Sequence, residues 1–327
     1  MNEFGIIERY FRRLGAARDD VLLGIGDDAA LIRHEGGALV VCTDTMVGGV
    51  HFLPDDLPAD IGFKSLAVNL SDIAAMGATA TWATLSITLP EFDEEWIAGF
   101  CKGFDELAKR YRVALVGGDT THGPLTVTVQ VGGVVAESDA LRRDGACAGQ
   151  RVFLSGPVGD GALGLAVARG EYRANESDAS YLLSRLRRPQ PALRAGGALA
   201  GVARAAIDIS DGLVADLRHV LDASGGRGAE LDLTRRWFSP AGCLYLDDGG
   251  DVAPLLAGGD DYVLLFTIEE KDLDRLDAAA RAGGFDPVGI GRIVDEPGIR
   301  IRDEQGQDVA AGAGGYLHFD GDDLHAE

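Results

Sequence analysis

Six aspartates in this chain share one local setting: each follows a short apolar run and stands beside Gly, Ser, Thr or a second Asp. They are Asp28 in GIGDDAA, Asp44 in VVCTDT, Asp72 in VNLSDIAAMG, Asp119 in LVGGDTT, and Asp208 and Asp211 in AIDISDG. Any one of them alone reads as a turn or cap residue, because a short carboxylate bonds readily to nearby backbone N–H groups. Their recurrence points to chemistry instead. An acid at a strand terminus is accessible at the sheet edge yet rigidly placed, which suits a hard cation that wants oxygen ligands. Mg²⁺ takes few carboxylates and completes its octahedron with water and phosphate oxygens. In AIDISDG a strand period of two puts Asp208 and Ser210 on one face, with Asp211 at the turn into the next helix.

Two glycine-rich stretches add capacity for anions. VGGDTTHGP exposes backbone N–H groups beside Asp119, and SGPVGDGALG leads into a helix whose N-terminus favours negative charge. Neither is a P-loop, since no Lys follows the glycines. His51, between a Gly-Gly turn and the acid motif of Asp44, reads equally as a structural histidine or as a phosphate or substrate ligand. Arg142 and Arg143 read as a solvated pair or as partners for a nucleotide phosphate. The remaining histidines form no metal spacing, and no G-x-S-x-G supports a nucleophilic serine.

The elements that must position these residues alternate along the chain. A helix is expected from Phe4 to Leu14, then strands over AALIR and ALVVCTD, and a mostly apolar helix from Ala59 to Met76 closed by Gly77. TWATLSITL and LTVTVQVGGVV read as strands around a charged helix, DEEWIAGFCKGFDELAKRY, and VALVGGDTT as a strand running into a glycine turn. The polar stretch AESDALRRDGACAGQ reads as a boundary, giving a first domain over 1–137 and a second over 138–327. The second opens with RVFLS and continues through AIDIS, AELDL, YVLLFTI and VGIGRI with helices between. The class expected is α/β (α+β) in two domains.

Composition narrows the function further. With 52 acids against 30 bases the formal net charge is −22, which repels nucleic acid and anionic membranes. A protein so acidic needs bridging cations to handle a polyanion. The four cysteines are scattered without a CxxC, and no leader-like segment opens the chain, so a reduced, cytoplasmic setting is expected. No apolar run approaches the ~20 residues of a membrane span.

GIGDDAALI, TDTMVGGVHF, KSLAVNLSDIAAMGA, GGDTTHGP, SGPVGDGALGL, AIDISDGL and GGDDYVLLF, taken in order, resemble the thiamine-monophosphate kinase family, within the aminoimidazole ribonucleotide synthetase superfamily. The resemblance implies an N-terminal sheet that forms a barrel with its copy in a homodimer, and a C-terminal α/β domain packed against it. It implies transfer of a phosphoryl group from ATP to thiamine phosphate with several Mg²⁺ ions. Asp28, Cys42 (through its carbonyl), Thr43, Asp44, Asp72, Asp119, Asp208 and Asp211 would bind metal. Gly118, Asp119, Arg143 and Ser210 would meet ATP, and His51, Asp260 and Tyr316 the acceptor. Asp27 would be a turn or supporting residue. The chain departs from the family at Cys42, where Ser is frequent, at Asp260, where Glu is frequent, and at Lys102, where an aromatic sometimes stands. Other ATP-using branches of the superfamily, and a non-catalytic acidic metal-binding protein, are the competing readings.

Overall fold

The structure, a computed structural model, describes residues 21–23, 27–34 and 37–310. The expected N-terminal helix and Tyr316 lie outside the described residues. Among the described residues the strands form two six-stranded sheets.

The first sheet has the order β1-β2-β3-β6-β4-β5, from β1 (Val21–Leu23), β2 (Ala30–His34), β3 (Gly37–Val47), β4 (Thr79–Leu89), β5 (Ala114–His122) and β6 (Thr126–Val135). Among the described residues it is open, with edges at β1 and β5. Two 18-residue helices, α1 (Pro58–Ala75) and α2 (Glu94–Tyr111), accompany it. In β3 the alternation that buries Ala38, Val40, Cys42 and Met46 under the helices turns Thr43 and Thr45 to the other face. Asp44 therefore falls on the helix-facing side.

Helix α2 carries its own boundaries. Asp93 caps it by accepting from Glu95 N (2.9 Å) and Trp96 N (3.0 Å), acids occupy its first turn and bases its last, and Arg112 ends it at φ 60°. It crosses α1 at close range: a Cβ at Gly103 would overlap the carbonyl of Ala59, and one at Gly62 that of Phe100. Gly103→Val is accordingly expected to lose about 3 kcal/mol of stability in denaturant titration, and an unchanged midpoint would contradict this packing.

Helix α1 is buried on nearly every side, and Gly77 closes it at φ 68°. Its polar residues Lys64, Ser65, Asn69 and Ser71 are thus enclosed, and each must find a partner. The glycines of VGGDTT, expected to form a turn, lie inside β5. A register shift opposite Ala83 and Thr84 absorbs them, and a Cβ at Gly118 (φ 148°) would strike the carbonyl of Leu85.

The second sheet has the order β12-β9-β11-β7-β10-β8, from β7 (Arg151–Leu154), β8 (Ala205–Asp208), β9 (Gly228–Asp232), β10 (Leu264–Ile268), β11 (Val288–Val294) and β12 (Gly298–Arg302). Strand β12, parallel to β9, was not expected from the sequence. The helices are α3 (Asp160–Ala168), α4 (Glu176–Arg187), α5 (Leu193–Leu199), α6 (Leu213–Ala223), α7 (Pro240–Asp247), α8 (Ala253–Ala257) and α9 (Leu273–Gly283). Most of the sheet's apolar side chains join a cluster with α6 and α8. Phe153, Ala206, Leu264, Phe266 and Ile268 pack instead with Leu199 of α5, Leu276 of α9, and Ala74 and Ala75 of α1. Helix α1 therefore touches both sheets. No described helix is long and apolar enough to cross a membrane.

Candidate active site

Four segments bring acids together beside α1. Asp28 lies just before β2, Asp44 in β3, Asp72 near the end of α1 and Asp208 at the end of β8. Carboxylate oxygens of Asp28, Asp72 and Asp208 lie within 4.8 Å of one another. Hydrogen bonds from α1 hold two of these strands. Ser71 Oγ donates to Asp208 Oδ2 at 2.6 Å, and the Asn69 Oδ1 accepts from Asp44 N at 3.1 Å.

Crowding Asp72, Asp208 and Asp44 out of water favours their protonated forms. Burial first, and then the charges of Asp44 and Asp208, lift Asp72 well above the usual carboxylate range. Asp208 rises for the same first reason, with the charge of Asp28 next. Asp44 is pushed up to about 6 by burial and by Asp28 and Asp211. A cluster in this state gains from any cation placed among it.

Arg143 supplies one positive charge. Its guanidinium pairs with Asp28 through Nη2 and Nε, and with Asp27 through Nε at 3.3 Å. Burial alone would lower its pKa, yet the charges of Asp28, Asp27 and Asp208 raise it. Asp27 is the clamp of this arrangement, accepting from Arg143 N (3.0 Å) and Asp28 N (2.9 Å). Burial and Asp28 push Asp27 up to about 6.

Ser210 and Asp211 lie in the turn after β8, so Ser210 does not extend the strand face that carries Asp208. The turn is organised by the buried Asp216 of α6, whose Oδ2 accepts from the backbone N–H of Ser210, Asp211 and Gly212 at 3.0, 3.1 and 3.1 Å. Asp211, Asp216 and His219 offer a second group of ligand atoms within 4.8 Å.

The GGDDY stretch packs directly on this turn. Asp260 N donates to Ser210 O at 2.9 Å and Tyr262 N to Ile209 O at 2.8 Å, with Asp260 and Tyr262 held at φ 69° and 52°. These left-handed conformations are costly for residues with a Cβ and tend to persist where the surroundings impose them. Asp260 Oδ1 accepts from Tyr262 OH (2.8 Å) and pairs with Lys64 Nζ (3.1 Å). Lys64 also donates to His51 O at 3.3 Å, and His51 Nδ1 accepts from Val47 N at 3.0 Å. His51 and Asp260, widely separated in sequence, meet through one lysine.

Other expectations are placed differently. Cys42 is buried, and its thiol donates to Asn69 O at 3.3 Å. Burial, then the charges of Asp72 and Asp44, push the thiol up, so it stays protonated. Thr43 faces the exposed side of the sheet, opposite to Asp44. Gly118 and Asp119 stand on the exposed edge strand β5, three strands from Asp44 in the sheet order, and Asp119 Oδ1 accepts from Thr120 N at 2.9 Å. They are not part of the acid cluster. The N-terminus of α3, expected to be open to an anion, is occupied: Asp261 Oδ2 and Oδ1 accept from Gly159 N (2.7 Å) and Gly161 N (3.0 Å). Burial pushes this carboxyl up to about 7.

Lys64, Asn69, Asp216, His219 and Asp261 are the residues that the sequence reading missed. For the first two a signal existed, since both are large polar residues in a mostly apolar helix.

Residues 26–135 match the AIR synthase related protein, N-terminal domain, and residues 148–304 match its C-terminal domain. The thiamine-monophosphate kinases of Salmonella typhimurium and Escherichia coli are each 44% identical to this chain over 321 residues, covering 97% of it and 98% of theirs. Among solved structures, AaThiL complexed with AMPPCP and TMP superposes with a TM-score of 0.84 at 30% identity, covering 97% of both chains. The thiamine-monophosphate kinase from Stenotrophomonas maltophilia K279a does so with a TM-score of 0.77 at 42% identity, covering 89% of this chain and 93% of its own. The ordered acid motifs, the two sheets and these full-length similarities agree: the chain belongs to the thiamine-monophosphate kinase family of AIR synthase related proteins.

Proposed function

We propose that this protein phosphorylates thiamine phosphate to thiamine diphosphate with ATP, by direct in-line transfer assisted by Mg²⁺. The observation that carries the reading is the convergence of Asp28, Asp72 and Asp208 beside Arg143, between two sheets, in a chain 44% identical to thiamine-monophosphate kinases. Three hard oxygen donors whose ions repel one another fit a hard divalent cation. When bound, Mg²⁺ would neutralise the phosphates that must approach each other.

The residues divide the remaining work. Asp28, Asp44, Asp72, Asp208 and Asp211 would hold the ions, with Cys42 contributing only its carbonyl; Thr43, whose side chain faces away from Asp44, would reach a metal only through its backbone. Gly118 and Asp119, where the Gly117 backbone is open to close approach, would meet the nucleotide phosphates, Asp119 also through metal. Arg143 and Ser210 would contact ATP, and His51, Asp260 and Tyr316 the acceptor. No general base is needed, since the acceptor phosphate is already a nucleophile near neutral pH; positioning and charge stabilisation carry the rate. In this reading residues 1–137 form the unit for nucleotide, metal and dimer contacts, and 138–327 complete the site.

The test is an assay with ATP, Mg²⁺ and thiamine phosphate, separating thiamine species by chromatography, with free thiamine in parallel. Thiamine diphosphate formed from the monophosphate and not from thiamine supports the reading. ADP release without that product overturns the assigned acceptor.

The same reading includes a homodimer. Strand β5 is an edge, exposed along its whole length, with Leu115 and Val116 presented to solvent. Such an edge is a template for pairing with another chain, and a copy laid against it would close the open sheet into a barrel. Val116→Glu is expected to shift sedimentation from dimer to monomer. A wild-type monomer at micromolar concentration, or an undisturbed mutant dimer, would remove this proposal.

A further inference from the structure

We propose that Lys64 is a positioning residue of the acceptor subsite, an inference that rests on the functional reading above. Its ammonium joins two walls that come from different parts of the fold. One is the His51 turn, through the carbonyl of His51 at 3.3 Å; the other is the GGDDY loop, through Asp260 Oδ1 at 3.1 Å. With Tyr262 OH on the same Oδ1, the Asp260 carboxylate has one oxygen fixed by two donors, which sets the direction of the other.

Composition makes the choice of side chain informative. The chain has four lysines, Lys64, Lys102, Lys109 and Lys271, against 26 arginines among its 30 bases, and Lys64 alone of the four is buried. A burying position that tolerated either base would be expected to hold arginine in such a chain. The cavity beside Lys64, bounded by Phe52, Asp56, Asp60, Ile61 and Arg187, has a volume of only about 10 Å³. Little unfilled space thus adjoins the Lys64 side chain, and its compact ammonium reaches both acceptors from within it.

Its place on α1 fixes its role relative to the chemistry. Lys64 and Asp72 are eight residues apart on one helix, about 12 Å along the axis. Asp72 belongs to the acid cluster, so along α1 the Lys64 backbone lies about two turns away from it, toward the end that adjoins the His51 turn. Lys64 therefore acts through Asp260 and the His51 turn on how the acceptor is seated, and not on phosphoryl transfer itself.

Steady-state kinetics of Lys64→Met, Asp260→Asn and the double variant test this, with thermal melts confirming that each folds. Lys64→Met is expected to raise KM for thiamine phosphate about tenfold, with KM for ATP and kcat within about twofold of wild type. The double variant is expected to be no worse than the more impaired single one. Equal losses in both KM values and kcat, additive effects, or no change in KM for thiamine phosphate would each overturn the proposal. Should Lys64→Met fail to fold, Lys64→Gln, of similar length, is read by the same split. Wild-type protein inert toward thiamine phosphate would instead overturn the functional reading, a distinct result obtained in the same experiment.

Discussion

Asp72→Asn is expected to lose about a thousandfold in kcat and yet to make the metal-free protein harder to melt. Both effects come from one arrangement. The Asp72 carboxylate is buried against the charges of Asp44, Asp208 and Asp28, which raises its pKa well above the ordinary value. In the unfolded chain the same group titrates near 4. Its folded form thus binds a proton more readily, so the stability it contributes is intact below about pH 4 and is lost as pH rises through the raised value. Asparagine cannot ionise and escapes that loss. Calorimetry in a chelator should show the variant melting a few degrees above wild type at pH 8, with the gap closing toward pH 4. Wild-type turnover in this variant would remove Asp72 from the metal site, and a lower melting temperature at pH 8 would contradict the electrostatic account.

Arg143→Leu carries the largest expected cost in stability, about 3–5 kcal/mol at pH 8, because it leaves Asp27 and Asp28 buried without their cation. The loss should depend on pH in a definite direction. Asp27 titrates near 6 in the folded protein even with Arg143 present, and removing the guanidinium moves it higher. At pH 5 a proton can take the place of the lost cation, so the penalty shrinks. Urea unfolding at pH 8 and pH 5 compares the two. An equal loss at both values would show that Arg143 matters for its packed stem and not for its charge.

The features legible in the sequence are those written into local pattern. Strand β3 follows from its apolar run and β4 from alternating apolar residues, α2 from its graded charges, and Asp28, Asp72 and Asp208 from acids recurring after apolar runs. What escaped the sequence is decided by partners distant in the chain. Nothing near Gly159 announces that Asp261, about a hundred residues on, fills the N-terminus of α3. Nothing near Ser210 shows that Asp216 turns back to bind three consecutive amides. The glycines before Asp119 signal a turn by composition, but pairing with β4 extends them into strand. Thr43 is adjacent to Asp44 in sequence and opposite to it across the sheet, which a motif read as a unit conceals.

Helix α1 also bears on how the protein can move. Its middle packs in the core of the first sheet through Leu66, Leu70 and Ile73, while Ala74 and Ala75 pack with Leu199 and Phe266 beneath the second. Gly196 comes so near Ala74 that a Cβ would collide with the helix carbonyl. A rod seated in two cores leaves no hinge between them, because swinging one sheet against the other would tear apolar contacts on both sides at once. Any opening and closing around substrates is therefore expected at the turns on the rim, such as the one carrying His51, more than between the two sheets.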